Sequence, residues 1–234
     1  MPAATAWTGS VGNMDIVDPR IEDYMAGRLA RFDEPVLLEM EREARERGFP
    51  IVGRNVGVTL EVLARSIGAR TVVELGSGFG YSAYWFSRAV GPNGEVHCTD
   101  GDPDNERKAL AYLGRAGLAG PIRYHVGDAV EQLASLEPPF DVVYNDVDKE
   151  GYPAAWRAAR DLVRPGGLYI CDNVLWYGRV TGAEPLDDDW QRETTDAVLE
   201  HNALVAEDDR FVSTIVPTRD GVLVAVRLPP SASE

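Results

Sequence analysis

The sequence predicts an α/β protein: a doubly wound, mostly parallel seven-stranded sheet with helices on both faces. Three observations carry that reading. Short apolar runs alternate with helical stretches five times between residues 71 and 205, the pattern of parallel strands joined by crossover helices. A glycine-rich turn directly follows the first of these runs, as in nucleotide-binding folds of this class. The chain closes on two strand-like runs, 211–216 and 222–228, joined through Thr218-Arg219-Asp220-Gly221, so one strand must be antiparallel.

Taken in order, residues 20–29 and 34–48 read as helices; the second is dense in Glu and Arg and ends at Gly48 before Pro50. Residues 56–67 space Val58, Leu60, Val62, Leu63 and Ile67 helically, and Gly68 stops them. Strands are expected at 71–75, 95–99, 122–126, 140–145 and 167–171. The helices between and after them are expected at 81–90, 104–117, 129–136, 152–163 and 190–205, and Pro92-Asn93-Gly94 is a turn. The segment before the last helix, rich in Gly, Asp and Pro, reads as a loop. No repeat or shift in composition divides the 234 residues, which suit one domain. Its parts are a tail over 1–18, N-terminal helices over 19–68 and an α/β core over 69–228.

Net charge is −15 with no basic face, which argues against a nucleic-acid partner. No stretch approaches the roughly 18 apolar residues of a membrane span. Residues 1–13 lack the basic-then-apolar pattern of a secretory signal, so a cytoplasmic protein with no membrane partner is expected. Cys98 and Cys171 sit in or beside strand-like runs and read as reduced, buried thiols, a disulfide between them being the alternative. The acidity fits either adaptation to salt or a coding bias that favours Arg over Lys. Lys108 and Lys149 are the only lysines, so Lys149 stands out where it falls beside a run of acids.

The run Val72-Val73-Glu74-Leu75-Gly76-Ser77-Gly78-Phe79-Gly80-Tyr81-Ser82 reads as strand, turn and helix start. Its glycines let a ligand approach the backbone closely, and the helix start offers unpaired amides. The spacing is G-x-G-x-G, unlike the dinucleotide fingerprint, and the absence of a following G-K-[ST] excludes a P-loop. Glu74 would repel a pyrophosphate and suit an ammonium. S-adenosylmethionine carries an α-ammonium and an α-carboxylate and no phosphate, and Ser82 is placed to bond that carboxylate. Asp100, at the end of the second strand, can accept from both ribose hydroxyls, with Asp102 the lesser candidate. Asp128 and Ala129, at the end of the third strand, stand where adenine contacts belong. Helix capping is the competing use of these acids.

The fourth and fifth strands end in Asn145-Asp146-Val147-Asp148-Lys149 and Cys171-Asp172-Asn173-Val174-Leu175-Trp176. Both ends fall on the carboxyl edge of the sheet, where ligands bind in this class of fold. Asp146, Asp172 and Asn173 offer two carboxylates and an amide oxygen. These are hard ligands suited to Mg²⁺, with Mn²⁺ or Ca²⁺ as alternatives, and they leave positions for two adjacent hydroxyls and a water. Capping would explain one Asp but not the whole set with Lys149 beside it.

These residues resemble the metal-dependent O-methyltransferases of the caffeoyl-CoA and catechol type, within the class I methyltransferases. The matching pieces keep the family's order from about residue 35 to 228. They are Glu74-Leu75-Gly76 through Ser82, Asp146-x-Asp148-Lys149 with Tyr152, Gly166-Gly167, Asp172-Asn173-x-Leu175-Trp176-x-Gly178, and Asp220-Gly221. The resemblance implies a Rossmann-like methyltransferase fold with strand order 3-2-1-4-5-7-6 and the seventh strand antiparallel. It implies metal ligation by Asp146, Asp172 and Asn173, Lys149 as the catalytic base, and a homodimer. It implies cofactor contacts from Val52, Glu74, Gly76, Ser82, Asp100 and Ala129, with Asp128 and Asp146 counted beside them. Two departures stand out. The turn after the first strand is richer in glycine than is usual in the family. The segment between Trp176 and Trp190, with Glu184 and Asp187-Asp188-Asp189, matches no specificity loop, so the resemblance does not name the acceptor.

The chemistry that follows is methyl transfer from S-adenosylmethionine to one hydroxyl of a small, catechol-like phenol chelated by the metal. The metal lowers the hydroxyl pKa from its free value of about 10, Lys149 accepts the proton, and the oxyanion attacks the methyl in line. Trp176 walls the aromatic ring or, equally, fills a gap between loop and helix. His97, His125 and His201 lack motif context and read as structural or surface residues. The rival readings are a non-catalytic S-adenosylmethionine sensor or scaffold, a nicotinamide-dependent oxidoreductase, and a methyltransferase acting on nitrogen.

Overall fold

The computed structural model describes residues 15–183 and 185–230. Its strands are Thr71–Leu75 (β1), Glu95–Asp100 (β2), Ile122–Val126 (β3), Phe140–Asn145 (β4), Val163–Cys171 (β5), Phe211–Val216 (β6) and Val222–Arg227 (β7). They pair into one sheet in the order β3-β2-β1-β4-β5-β7-β6. The first five are mutually parallel, and β7 lies between β5 and β6, antiparallel to both. The strand order is the expected one. Most of the tail expected over 1–18, and Glu184, lie outside the described residues.

The helices are Pro19–Gly27 (α1), Pro35–Arg47 (α2), Gly53–Ser66 (α3), Tyr81–Val90 (α4), Pro103–Arg115 (α5), Ala129–Ser135 (α6), Tyr152–Ala159 (α7) and Asp189–Glu207 (α8). Their ends follow local chemistry. α2 stops where Gly48 turns left-handed at φ 63°, and Asp102, Asp128 and Asp188 cap α5, α6 and α8 with side-chain oxygens. Because strand side chains alternate, the sheet splits the interior in two. Val72, Val96, Val142 and Ile170 pack with Leu60, Trp85 and Leu113 on one face. Val73, Val143 and Tyr169 pack with Leu133, Trp156 and Val198 on the other. Cys98 belongs to the first core and Cys171 to the second, both as free thiols, so the sheet itself stands between them and the disulfide alternative fails.

Two expectations need correction. The helix expected over 152–163 ends at Ala159, and β5 starts at Val163 rather than at 167. Pro165-Gly166-Gly167 cannot continue a helix, and the register shift between Phe140 and Val142 lets Val163 pair with Phe140 instead. The helix expected at 56 starts at Gly53, and the loop after β5 contains a 3₁₀ turn over Trp176–Thr181. Among the described residues no helix is long and apolar enough to cross a membrane.

The contact of α3 with α4 is close because residue 57 is glycine: a Cβ there would stand inside the indole of Trp85, which is fully buried. Overpacking of this kind costs about 1–3 kcal/mol, or a melting point lower by about 5 °C in a chain of this size. Gly57→Ala is therefore expected to melt measurably below the parent in a thermal scan, and an unchanged melting point would show that the two helices separate freely.

Candidate active site

The carboxyl ends of β1 to β5 open into one cavity of 1330 Å³. Its floor is made where parallel pairing runs on beyond the strand ends. The Asp146 amide donates to Leu75 O at 2.8 Å and the Asp172 amide to Asn145 O at 3.2 Å, so the two acids step out side by side. Gly76, at φ 84°, passes so close that a Cβ would overlap the Asp146 carbonyl. Only glycine leaves this bend open to a ligand.

Asp146, Asp172, Asn173 and Lys149 are brought together as expected. Lys149 Nζ donates to Asn173 Oδ1 at 3.1 Å and to the Tyr152 hydroxyl at 2.6 Å, and lies 3.8 Å from Asp146 Oδ1. The Tyr152 hydroxyl in turn donates to the Asp172 carbonyl at 2.7 Å. The ammonium also lies 4.7 Å from the Tyr152 ring centre and 5.5 Å from that of Trp176. Asp172 is 1 % exposed and its Oδ1 has no hydrogen-bond partner. Burial pushes the Asp146 carboxyl up against the pull of Lys149, and the charge of Asp172 adds to the rise. Burial likewise raises Asp172, with Arg219 pulling the other way. Among the described residues no cluster of three His, Cys, Asp or Glu side chains is set to hold a metal. The candidate set is instead two carboxylates and an amide oxygen.

Most of the expected cofactor residues line the same cavity: Val52, Gly76, Ser82, Asp100, Asp128 and Ala129. Asp100 is held by Gly78 N at 3.0 Å, Asp102 N at 2.8 Å and Asn105 Nδ2 at 3.0 Å, which fixes its carboxylate at the end of β2. Asp102 faces out and caps α5. Asp128 caps α6 through Val130 N and Glu131 N and also lines the cavity. Glu74 is the exception. Its side chain is fully buried under the start of α4 and does not line the cavity. The pleat of β1 turns it toward Cys98, whose thiol lies 3.5 Å from Oε2, while Oε1 has no hydrogen-bond partner. The Glu74 carboxylate thus lies beneath the glycine turn, with Oε1 left unpartnered there. Burial lifts Glu74 to about 7, with the hydroxyls of Ser82 and Ser77 pulling it down.

The loop after β5 was the least legible part. Asn173, Trp176 and Tyr177 hold left-handed φ values of 52°, 47° and 55°, each a strained conformation costing about 1–3 kcal/mol for a residue with a side chain. The β6–β7 hairpin holds them there. Asp220 Oδ1 accepts from Tyr177 N at 2.6 Å, Asp220 O from Leu175 N at 3.0 Å, and Gly221 O from Val174 N at 3.1 Å. Trp176 lines the cavity, and its Nε1 donates to Thr194 of α8 at 3.1 Å, so it does bridge loop and helix. Tyr177, Trp190 and Arg219 also line the cavity and were missed, because a loop's path carries no periodic signal. The histidines are structural: His97 and His125 stack across β2 and β3, and His201 is buried between Tyr169 and Asn202.

The O-methyltransferase family profile matches residues 28–228. The chain belongs to the O-methyltransferase family. The catechol O-methyltransferase of Niastella koreensis is 30% identical over 215 residues, covering 87% of this chain and 95% of its own length. A methyltransferase structure from Geobacter sulfurreducens is 31% identical and aligns with a TM-score of 0.78 over 93% of this chain and 100% of that one. The Streptomyces achromogenes O-methyltransferase of tomaymycin synthesis, solved with S-adenosylmethionine, is 28% identical, with a TM-score of 0.75 over 84% of this chain and 91% of that one. The nicotinamide-dependent and nitrogen-methylating alternatives fall with membership in the O-methyltransferase family.

Glu74 gives this O-methyltransferase a stability signature that depends on pH. Its folded pKa of about 7 lies above its ordinary value of 4.5, so its contribution is fully present below about pH 4.5 and lost as pH rises through 7. A shift of that size corresponds to about 3 kcal/mol. Glu74→Gln should therefore melt higher than the parent at pH 8 and lose that advantage at pH 4.5. The same offset at both values would mean that Glu74 does not titrate in this range.

Proposed function

We propose that this S-adenosylmethionine-dependent O-methyltransferase methylates one hydroxyl of a small catechol-like acceptor held by a divalent cation, with Lys149 as the general base. The observation that carries the reading is the pair Asp146 and Asp172 at adjacent strand ends, with an amide oxygen and the buried lysine bonded to it. The donor set fits a cation. Oδ1 of Asp172 is buried without a partner, two raised carboxyls face one space, and all three donors are hard oxygens. Asp146, Asp172 and Asn173 would hold the ion, with Mg²⁺ the best match. A cation there supplies Lewis acidity that lowers the pKa of an adjacent phenolic hydroxyl. S-adenosylmethionine supplies the methyl group on a sulfonium sulfur.

The protein's own groups do the rest. Tyr152 holds Lys149 Nζ in place by accepting a hydrogen bond from it while its own hydroxyl donates to the Asp172 carbonyl, so that the lysine faces the acceptor. As the free amine, Lys149 takes the hydroxyl proton on Nζ; the acceptor oxygen then bonds the methyl carbon as its bond to sulfur breaks, and S-adenosylhomocysteine leaves as the neutral thioether. Gly76, Ser82 and Asp100 support the cofactor reading by lining the cavity at the ends of β1 and β2 and the start of α4. Trp176 supports the acceptor ring. Holding both reactants aligned can supply about 7–11 kcal/mol of the barrier. The same proposal includes a homodimer in the cytoplasm. Val212 and Val226, exposed partners across β6 and β7, offer an apolar strip for pairing. The two free thiols suit a reducing compartment.

Transfer of labelled methyl from S-adenosylmethionine to catechols should require Mg²⁺ and stop with EDTA. Lys149→Met should lower kcat by at least about a hundredfold, the usual worth of a general base, while the KM for S-adenosylmethionine stays within about twofold. Transfer indifferent to EDTA would remove the cation from the account. Tight cofactor binding with no turnover of any catechol would favour the sensor reading instead.

A further inference from the structure

The cavity does not end at its mouth. Phe49, Pro50 and Ile51, which line it, also form one wall of a second, open groove of 510 Å³ between α2 and α3, and Arg219 lines both spaces. Electrostatically the two spaces differ. The main cavity is lined by six carboxylates and two cations. The groove is lined by three arginines and one acid, in a chain whose net charge is −15. Of those arginines, Arg54 is occupied, paired with Glu41 and with Asp33. Arg45, in the last turn of α2, and Arg219, at the tip of the β6–β7 hairpin, are exposed, and among the described residues neither forms an ion pair. Arg219 holds a left-handed φ of 53° and donates one guanidinium hydrogen to Ile51 O, which aims the group across the junction of cavity and groove. A guanidinium keeps its charge at any working pH and matches a carboxylate with two parallel N–H donors.

We propose that the groove is the subsite for an anionic substituent of the acceptor: the methylated ring carries a short side chain ending in a carboxylate, which Arg219 binds and Arg45 attracts. The inference rests on the catechol reading of the main cavity and deepens it. Arg219 lines the same cavity as Trp176 and Lys149, so a ring held by those two shares its space with the guanidinium. Anions are drawn to this one face while the acidic remainder of the surface repels them, so the groove also orients the acceptor as it enters.

The test is binding, so that it does not depend on turnover. Calorimetry on the full chain, loaded with S-adenosylhomocysteine and Mg²⁺, compares 3-(3,4-dihydroxyphenyl)propionate with its neutral amide. The carboxylate is expected to bind at least about tenfold more tightly, a difference that shrinks as salt rises. Arg219→Gln should remove most of that preference, Arg45→Gln a smaller part, and Arg219→Lys should restore some of it. The melting point of each variant checks that it is folded. Equal affinity for acid and amide, no binding of either, or a preference that survives Arg219→Gln with Arg45→Gln would each overturn the proposal. A preserved anion preference without methyl transfer to either compound would count against the catechol chemistry alone and leave the subsite standing.

Discussion

Two carboxylates crowded at the dry end of a sheet set the terms for this site. Asp146 and Asp172 sit at adjacent strand ends; burial disfavours the charged form of each, and the charge of Asp172 raises Asp146 further. A single lysine does not satisfy them: its ammonium is 3.8 Å from Asp146 and spends its shorter bonds on Asn173 and Tyr152. On the proposed reading, a hard dication would answer both the strain on the Asp146 carboxyl and the unpartnered oxygen of Asp172.

The rest of the fold serves to bring those groups to one place. Parallel pairing of β1, β4 and β5 sets Leu75, Asn145 and Cys171 level, so the next residues of β4 and β5 emerge together. Gly76 bends away beneath the Asp146 carbonyl and leaves the floor open. The β6–β7 hairpin then reaches back across the edge and holds the left-handed loop that carries Asn173 and Trp176. Strain in that loop is tolerated because three hairpin-to-loop hydrogen bonds oppose it.

The strands, their order and the residues at their ends were legible in the sequence, because apolar alternation and glycine turns act locally. β1, α4, β3, β4 and β6 have the bounds read from the sequence. That Asp146, Lys149, Asp172 and Asn173 would come to one cavity was legible for the same reason: each follows within four residues of a strand end. The facing of Glu74 was not legible, because it depends on the pleat, which the motif does not state. The side chain points under α4 and not into the cavity. The helix expected through Val163 failed because pairing with Phe140 outweighed local helical spacing. Tyr177, Trp190 and Arg219 come to the cavity through loop geometry and the hairpin, distances that no short pattern encodes. The groove beside the cavity lies deeper still, since it joins α2, α3 and the hairpin from opposite ends of the chain.

The most direct measurement is a Mn²⁺ titration followed by electron paramagnetic resonance, on the parent chain and on Asp146→Asn and Asp172→Asn. One bound Mn²⁺ per chain, displaced by Mg²⁺ and lost from both variants while their melting points stay at or above that of the parent, is the predicted result. No bound ion in the parent, or an ion held equally by the two variants, would contradict the claim that these carboxylates exist to hold a cation.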